Sequence, residues 1–355
     1  MNKIQDIINL HSYSLNEFQK NKYFMEALSG LTMHHYKNSK EYKMIVSKLS
    51  YKINKLNKVE KIPYLPVRLF KNFNFLSIKH KDIFKTLVSS GTSSSGVSKI
   101  YLDKNNSFNQ IKVLKKIVQD SLGIERVPML IIERERNKLD RSNFNASIAA
   151  INGFSIFSSE RVYALDQNKD VNYNSINSFL EKNKNNKFLI FGFTDKIYEY
   201  LINKISINKL SFKNFEKGIL IHGGGWKKLE KYKIQNKKFK LKLKNKFKIK
   251  NIFNYYGMVE QTGSIFIECS CGYFITSNFS DIIIRDENFN VLSAGKKGFV
   301  QLLSLLPTSY PGHSLLTEDI GEIIDKKNCK CLINGKRFLI HGRAPKAELR
   351  GCSNI

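Results

Sequence analysis

The sequence predicts an α/β protein, because apolar runs alternate with stretches of helical spacing. Four runs have the length and composition of buried strands, at residues 129–132, 188–191, 218–221 and 252–255. Three consecutive glycines, residues 223–225, come one residue after the third run. Ligands of an α/β sheet bind at the carboxyl ends of its strands. We therefore expect a binding site where these glycines follow their strand.

The composition fits a large folded core and limits the classes of partner. Of the 355 residues 42% are apolar, and 25 Phe and 16 Tyr supply bulky core side chains. The formal net charge of +29 is typical of chains that bind nucleic acid or anionic membranes. Lysine, however, greatly outnumbers arginine and occurs throughout the chain, as in a general compositional bias. We expect no nucleic-acid partner, whereas an acidic partner or an anionic substrate fits the charge.

The first residues carry no recognisable targeting segment. Residues 1–9 lack an apolar core and a cleavage pattern, and no apolar run approaches the ~20 residues of a membrane-spanning helix. We expect a cytoplasmic protein with no membrane span. Its five cysteines are then expected to be reduced, and to act as metal ligands, nucleophiles or core residues.

Three regions are predicted along the chain. Residues 1–80 place apolar side chains at helical spacing and form a helical lead-in. Residues 81–340 hold the α/β pattern, and from about residue 271 their shorter, turn-rich apolar runs predict a β-rich subdomain. Residues 341–355 form a short tail.

A lysine-rich segment interrupts this pattern at residues 227–250, which carry twelve lysines. Phe239, Leu243 and Phe247 recur there at helical spacing, although the alternation of residues 238–250 also fits a strand. We predict a helix whose lysines form a solvated face.

The first motif that carries chemistry lies at residues 89–99, which hold seven hydroxyl side chains, two glycines and a final lysine. Glycine-freed amides, short hydroxyl donors and one ammonium are what a polyphosphate requires. A Walker A loop is excluded, because Val97 follows Gly96 where that motif requires lysine. Taken alone, the segment also fits a plain flexible loop.

Four further motifs follow this loop in a fixed order. They are Gly-Gly-Gly-Trp at 223–226, Tyr-Tyr-Gly-Met-Val-Glu at 255–260, Leu-Thr-Glu-Asp-Ile-Gly-Glu at 316–322 and His-Gly-Arg at 341–343. The ordered set resembles the adenylate-forming superfamily of acyl- and aryl-CoA synthetases. That resemblance implies a large domain of mixed sheets flanked by helices, with a β-rich subdomain.

Within that superfamily the chain is most similar to the acyl-protein synthetases of the LuxE type, with the phenylacetate-CoA ligases next. The shared features are residues 62–67, the phrase Tyr-Pro-Gly-His at 310–313 and the ending at 350–353. The chain departs from the superfamily pattern at Val259, where Thr is usual, and in a phosphate loop two residues longer. Glu318 replaces the Gly of Thr-Gly-Asp, a departure shared with the acyl-protein synthetases.

The resemblance implies a role for each motif in binding ATP and Mg²⁺. Lys99 would neutralise the phosphates, Glu260 would hold Mg²⁺, and Asp319 would accept the ribose hydroxyls. Tyr256 would stack on adenine beside a glycine turn that lets the backbone approach the ring. The remaining nucleotide-binding residues by resemblance are Ser90, Gly91, Thr92, Ser93, Gly96, Gly223, Gly224, Gly225, Gly257 and Arg343.

The end of the chain gives a second indication of function. Synthetases that use free CoA continue, by resemblance, into a mobile lid domain, which we expect this chain to lack. A cysteine near the C-terminus of acyl-protein synthetases takes the acyl group from the adenylate, and Cys352 stands in that place. Nearby Arg343, Lys346 and Arg350 would favour its thiolate. The alternative is that Cys352 is incidental.

The other four cysteines form two pairs, Cys269 with Cys271 and Cys329 with Cys331. Paired thiols in a reducing compartment fit a structural zinc site of four cysteines, although the C-x-C spacing is less usual than C-x-x-C. Buried reduced cysteines are the alternative.

Together these features predict an enzyme that activates a carboxylic acid, by resemblance a fatty acid, as its acyl-adenylate. The acyl group would pass to Cys352 and then to an acyl-reductase subunit. A ligase that transfers the acyl group to CoA or to an acyl-carrier protein is the alternative within enzymes. A noncatalytic, zinc-stabilised binding module is the alternative from another class.

Overall fold

The structure is a computed structural model that describes residues 3–53, 56–89, 97–135, 146–211 and 215–344. The chain passes from its first unit into the second twice and returns each time. The first unit comprises Met1–Asp120, Gly257–Phe266 and Tyr273–Ile355, and the second comprises Ser121–Tyr256 and Ile267–Gly272.

The described residues form the following α-helices and strands. The helices are α1 (Lys3–Ile8), α2 (Glu17–Asn38), α3 (Lys40–Lys48), α4 (Leu69–Asn72), α5 (Lys104–Leu122), α6 (Ala146–Phe154), α7 (Tyr173–Asn183), α8 (Thr194–Lys196) and α9 (Asn236–Phe247). The strands are β1 (Leu65–Pro66), β2 (Lys85–Val88), β3 (Lys99–Leu102), β4 (Val127–Arg134), β5 (Ser158–Leu165), β6 (Phe188–Phe193), β7 (Gly218–Gly223), β8 (Asn251–Gly257), β9 (Ile265–Ile267), β10 (Phe274–Ile275), β11 (Ser280–Arg285), β12 (Lys297–Ser304), β13 (Ser314–Ile324) and β14 (Arg337–Arg343).

The second unit is built on a sheet of order β5-β4-β6-β7-β8-β9. The pairs β5/β4, β4/β6, β6/β7 and β7/β8 are all parallel. All four apolar runs predicted as strands lie in this sheet, and every residue of β6 and β7 is buried. Continuous apolar runs are expected for parallel strands that are covered on both faces. The predicted α/β class is therefore confirmed.

Helices cover this sheet, and each helix packs the side chains of one of its faces against the core. The core joins Phe179 of α7, Tyr200 of the π-helix Ile197–Lys204, and Phe239 of α9. In α9 the buried residues are Phe239, Leu243 and Phe247, the positions that the helical spacing predicted. Because this segment is a helix with one buried face, the helical interpretation of the lysine-rich segment is correct and the strand interpretation is wrong.

The first unit holds an antiparallel sheet of order β10-β14-β13-β12-β11 and a separate β2-β3 hairpin. The short strand β1 joins β13 in parallel, with Leu65 opposite Leu315. Just beyond β1, the Val67 amide donates to the Leu316 carbonyl at 2.9 Å. The segment before α4 is thereby held next to the Leu-Thr-Glu-Asp motif.

The N-terminal helices of the first unit pack on the same region. A capping box starts α2: the Gln19 amide donates to Asn16 Oδ1 at 2.9 Å, and the Asn16 amide donates to Gln19 Oε1 at 3.1 Å. Tyr42 of α3 lies fully buried in a cluster with Phe70 and Tyr310. Over the described ranges, no helix is both long and apolar enough to cross a bilayer.

Candidate active site

The glycine motif lies at the carboxyl edge of the second unit's sheet. β7 ends at Gly223, which pairs in register with Tyr255 of β8. A side chain at position 223 would overlap the Tyr255 ring, so packing against this neighbour requires glycine. Gly224 has a φ of +75°, a conformation that glycine adopts without strain. A Cβ added at Gly225 would meet no described atom within 4 Å, so this position borders open space.

His222 and Thr194 fix the start of this turn. The His222 ring is buried, and its Nδ1 lies 2.9 Å from Thr194 Oγ1, whose hydroxyl donates to the Gly223 carbonyl at 3.2 Å. Burial and the Lys240 charge lower the pKa of His222 to about 3. The imidazole is therefore neutral near pH 7. Because the Thr194 hydroxyl gives its hydrogen to the Gly223 carbonyl, it accepts from Nδ1–H of His222. A base of such low pKa suits a positioning role better than general-base catalysis.

The two tyrosines at the end of β8 have different environments. Tyr255 packs against Phe154 and Phe191, with ring centroids 4.9 and 6.3 Å apart. Tyr256 is half-buried and lies next along the strand, so it points to the opposite face from Tyr255. The stacking of adenine on Tyr256 stays a prediction.

A buried carboxylate that the sequence did not indicate lies beside this edge. Glu268 is 2% exposed, accepts from the Asn254 amide at 2.9 Å and pairs with Lys240 at 2.7 Å. Its other oxygen accepts from Asn236. These bonds join α9, β8 and the turn that carries buried Cys269 and exposed Cys271. An isolated glutamate gives no sequence signal of such a role.

In the first unit, the loop that carries Glu260 is fixed by buried hydrogen bonds. Gln261 Nε2 donates to the Gly312 carbonyl at 2.7 Å and to the Leu302 carbonyl at 3.0 Å. The Thr262 amide donates to the Tyr310 hydroxyl at 2.9 Å. The Tyr-Pro-Gly-His phrase thus supplies two of the groups that hold the loop, and Glu260 itself is half-buried.

The histidine of that phrase belongs to the core of the first unit. The fully buried His313 ring stacks on His35 with centroids 4.9 Å apart, and its Nε2 lies 3.0 Å from Thr32 Oγ1. Burial lowers the pKa of His313 to about 3. His313 is therefore neutral and structural, a role that the sequence did not assign.

Strands β13 and β14 bring two predicted site residues together. Asp319 and Arg343 are opposite each other in the antiparallel register. Asp319 is half-buried, whereas Arg343 is exposed. The neighbouring Glu318 forms an ion pair with Arg68, and its carbonyl accepts from the Ala344 amide at 2.8 Å. A glutamate at this position therefore has a partner that glycine would lack.

Lys99 begins β3 and is exposed. Just before it, the Ser98 amide donates to Ser89 Oγ at 2.9 Å, and the Ser89 amide donates to the Ser98 carbonyl at 3.0 Å. The two ends of the predicted phosphate loop are thus joined. The predicted residues that lie outside the described part of the chain are Ser90, Gly91, Thr92, Ser93, Gly96, Lys346, Arg350 and Cys352.

The second cysteine pair lies before β14 in the first unit. Cys329 Sγ and Cys331 Sγ are 3.0 Å apart. The Arg337 guanidinium, 2% exposed, donates to the Cys331 carbonyl at 3.2 Å and lies 3.8 Å from Cys331 Sγ. The guanidinium thus lies beside the sulfur pair, and thiolate is the form of cysteine that binds metals.

Solved structures identify the class of fold. The chain is similar to 2-hydroxyisobutyryl-CoA ligase in its thioesterification state, in complex with 2-HIB-AMP and CoA, with a TM-score of 0.70, 13% identity, and coverage of 94% of this chain and 70% of that chain. For the open conformation of that ligase, also in complex with 2-HIB-AMP and CoA, the TM-score is 0.69, the identity 12% and the coverage 94% and 76%. At these identities the likeness shows the fold, which is that of adenylate-forming enzymes. No curated protein matches the chain.

The family follows from the sequence match. A family model described as acyl-protein synthetase, LuxE, matches residues 2–355. The chain belongs to this family and is an AMP-forming ligase. The resemblance inferred from the order of the motifs is confirmed, and the noncatalytic alternative is set aside.

Proposed function

We propose that the chain converts a fatty acid and ATP into acyl-adenylate and pyrophosphate, and then moves the acyl group to Cys352. An acyl-reductase subunit would take it from there. The observation that carries the proposal is the family match over residues 2–355, together with the ordered motifs that this chain retains. The division into a lead-in (1–80), a catalytic domain (81–340) and a tail (341–355) is part of the proposal.

The first step must bring two anions together, because a carboxylate oxygen attacks the α-phosphorus and pyrophosphate leaves. Positioning and charge neutralisation are therefore the main contributions available to the protein. Exposed Lys99 suits the neutralising role, because its ammonium is on a long side chain and the residue directly follows the joined ends of the loop. Residues 90–93 and 96 would supply the donors to the phosphates.

The remaining assignments follow the geometry of each unit. Gly225 borders open space at the end of β7, which supports close approach of the adenine ring. The half-buried carboxylate of Asp319 suits an acceptor for ribose hydroxyls, with Arg343 opposite it. Glu260 stands on a loop fixed by Gln261 and Thr262, so it would hold Mg²⁺ at a defined place. Bound Mg²⁺ would neutralise phosphate charge.

In the second step a thiolate attacks the acyl carbonyl carbon, and the acyl–oxygen bond breaks to release AMP. We propose Cys352 as this thiol because it occupies the place of the acceptor cysteine of the acyl-protein synthetases. Transfer to CoA or to an acyl-carrier protein is the second candidate. It is favoured by the likeness to 2-hydroxyisobutyryl-CoA ligase, whose structure holds CoA.

Substitutions in the site test the adenylation step. We expect Lys99→Ala to lower acid-dependent exchange of labelled pyrophosphate into ATP by roughly a hundredfold, since a charge that stabilises the transition state is lost. Asp319→Ala is expected to raise the ATP concentration needed for half-maximal exchange. The matched controls are Lys85→Ala on β2 and Asp325→Ala after β13, both exposed positions. Unchanged exchange in both site variants would show that the residue assignments are wrong.

Labelling with acid tests the acceptor. Incubation with ATP and radiolabelled fatty acid is expected to leave a hydroxylamine-labile acyl group on the protein. Cys352→Ser should abolish this label while pyrophosphate exchange continues, because only the second step needs the thiol. If this variant forms acyl-CoA as fast as the parent, Cys352 is incidental and the second candidate is favoured.

We also propose that Cys269, Cys271, Cys329 and Cys331 hold one structural zinc ion. Two of these four ligand assignments have structural support, because the Cys329 and Cys331 sulfurs lie close together with the Arg337 cation beside them. Metal analysis of protein purified without added metal should find one zinc per chain, and Cys331→Ser should lose it, whereas Cys352→Ser should not. The site would be refuted if the parent protein contained no zinc and melted at the same temperature as the Cys331→Ser variant.

A further inference from the structure

The outer face of α9 combines a central apolar side chain with lysines on both sides. Leu241 is 55% exposed. Lys237, Lys238 and Lys244 are three or four residues from Leu241 and are therefore its neighbours on the helix surface, with Lys238 on the opposite side of Leu241 from the other two. Lys242 is the next residue along and lies about 100° around the helix, on the same side as Lys238. All four lysines are exposed. We call these five residues the lysine face.

The opposite side of α9 anchors the helix firmly in the second unit. Phe239, Leu243 and Phe247 are each at most 1% exposed. The N-terminal half of the helix is held by the Lys240–Glu268 ion pair at 2.7 Å. Near its other end, Lys246 donates to two backbone carbonyls of the π-helix, at 2.9 and 2.7 Å. The lysine face is therefore a fixed feature of the folded surface.

The charge of this region exceeds the general lysine bias of the chain. Residues 231–250 contain ten lysines and not one acidic residue, so all 30 Asp and Glu residues lie elsewhere. Ion pairs with described residues engage Lys240 and Lys250, which lie outside the lysine face. Its four lysines form no ion pair with any described residue, so their charge is available to a partner.

We propose that the lysine face docks on an anionic phospholipid surface, with Leu241 entering the headgroup region. A bilayer surface offers both the negative charge that attracts lysines and an apolar layer beneath it for an exposed leucine. Nucleic acid would use the charge but would leave Leu241 in contact with phosphate or water. The proposal is independent of the acyl-transfer function, although a fatty acid substrate would also be found in such a surface.

Cosedimentation with vesicles tests this proposal on the full chain. Binding is expected to vesicles of phosphatidylcholine containing about a third phosphatidylglycerol, not to phosphatidylcholine alone, and to weaken as salt rises. The partition coefficient should fall about tenfold or more in the fourfold variant Lys237→Gln, Lys238→Gln, Lys242→Gln and Lys244→Gln.

A matched control removes the same number of charges elsewhere. It carries four exposed substitutions in the first unit, which are Lys37→Gln, Lys40→Gln, Lys112→Gln and Lys115→Gln. The control is expected to retain most of the binding, because it keeps the lysine face intact. Since both fourfold variants have the same net charge, a difference in binding between them reports the position of the charges.

A second pair of variants tests the role of the leucine. Leu241→Asp should lower vesicle binding, whereas Leu332→Asp, at a leucine that is 97% exposed in the first unit, should not. Pyrophosphate exchange checks that each variant is folded.

Four outcomes would overturn the proposal. The first three are equal binding to both kinds of vesicle, equal loss in the two fourfold variants, and equal effects of the two leucine substitutions. The fourth is binding to polyglutamate through the lysine face without any binding to vesicles, which would make the partner an acidic protein.

Discussion

The glycine turn of the second unit relies on the parallel register between β7 and β8. This register sets Gly223 opposite Tyr255, whose ring occupies the space of a side chain at position 223. Tyr255 in turn packs on Phe154 and Phe191, which ties the glycine turn to the core. A turn fixed in this way presents its backbone at one place. Such positioning is what a reaction between two anions requires.

In the first unit, buried hydrogen bonds fix the loop that carries Glu260. The Glu260 loop lies between strands, so its polar groups need partners outside the ladders of a sheet. Gln261 bonds to two carbonyls, and the Tyr310 hydroxyl accepts from the Thr262 amide. Leaving such a buried group unpaired costs about 1–3 kcal/mol, so these contacts favour one loop conformation. The Tyr-Pro-Gly-His phrase is thus explained by support of the loop.

Local patterns predicted the fold and the positions of the motifs. The apolar runs became strands, and Phe239, Leu243 and Phe247 became the buried face of α9, because burial periodicity is encoded within a short segment. Partners distant in the chain were not predictable. The ring stack of His313 and the ion pair of Glu268 arise only when separate elements meet. The sequence also could not show why position 223 must be glycine, since the tyrosine ring that excludes a side chain there lies on another strand.

Attack of the acid's carboxylate on the α-phosphorus of ATP is the step from which the rest of the proposed chemistry follows. Its most direct test uses a fatty acid labelled with oxygen-18 in its carboxylate, with ATP and with hydroxylamine as the acyl acceptor, and determines the mass of the AMP that is released. An acyl-adenylate keeps one carboxylate oxygen on phosphorus when the acyl–oxygen bond breaks. We therefore expect AMP that carries one labelled oxygen. Unlabelled AMP, or release of ADP and labelled phosphate, would contradict this mechanism.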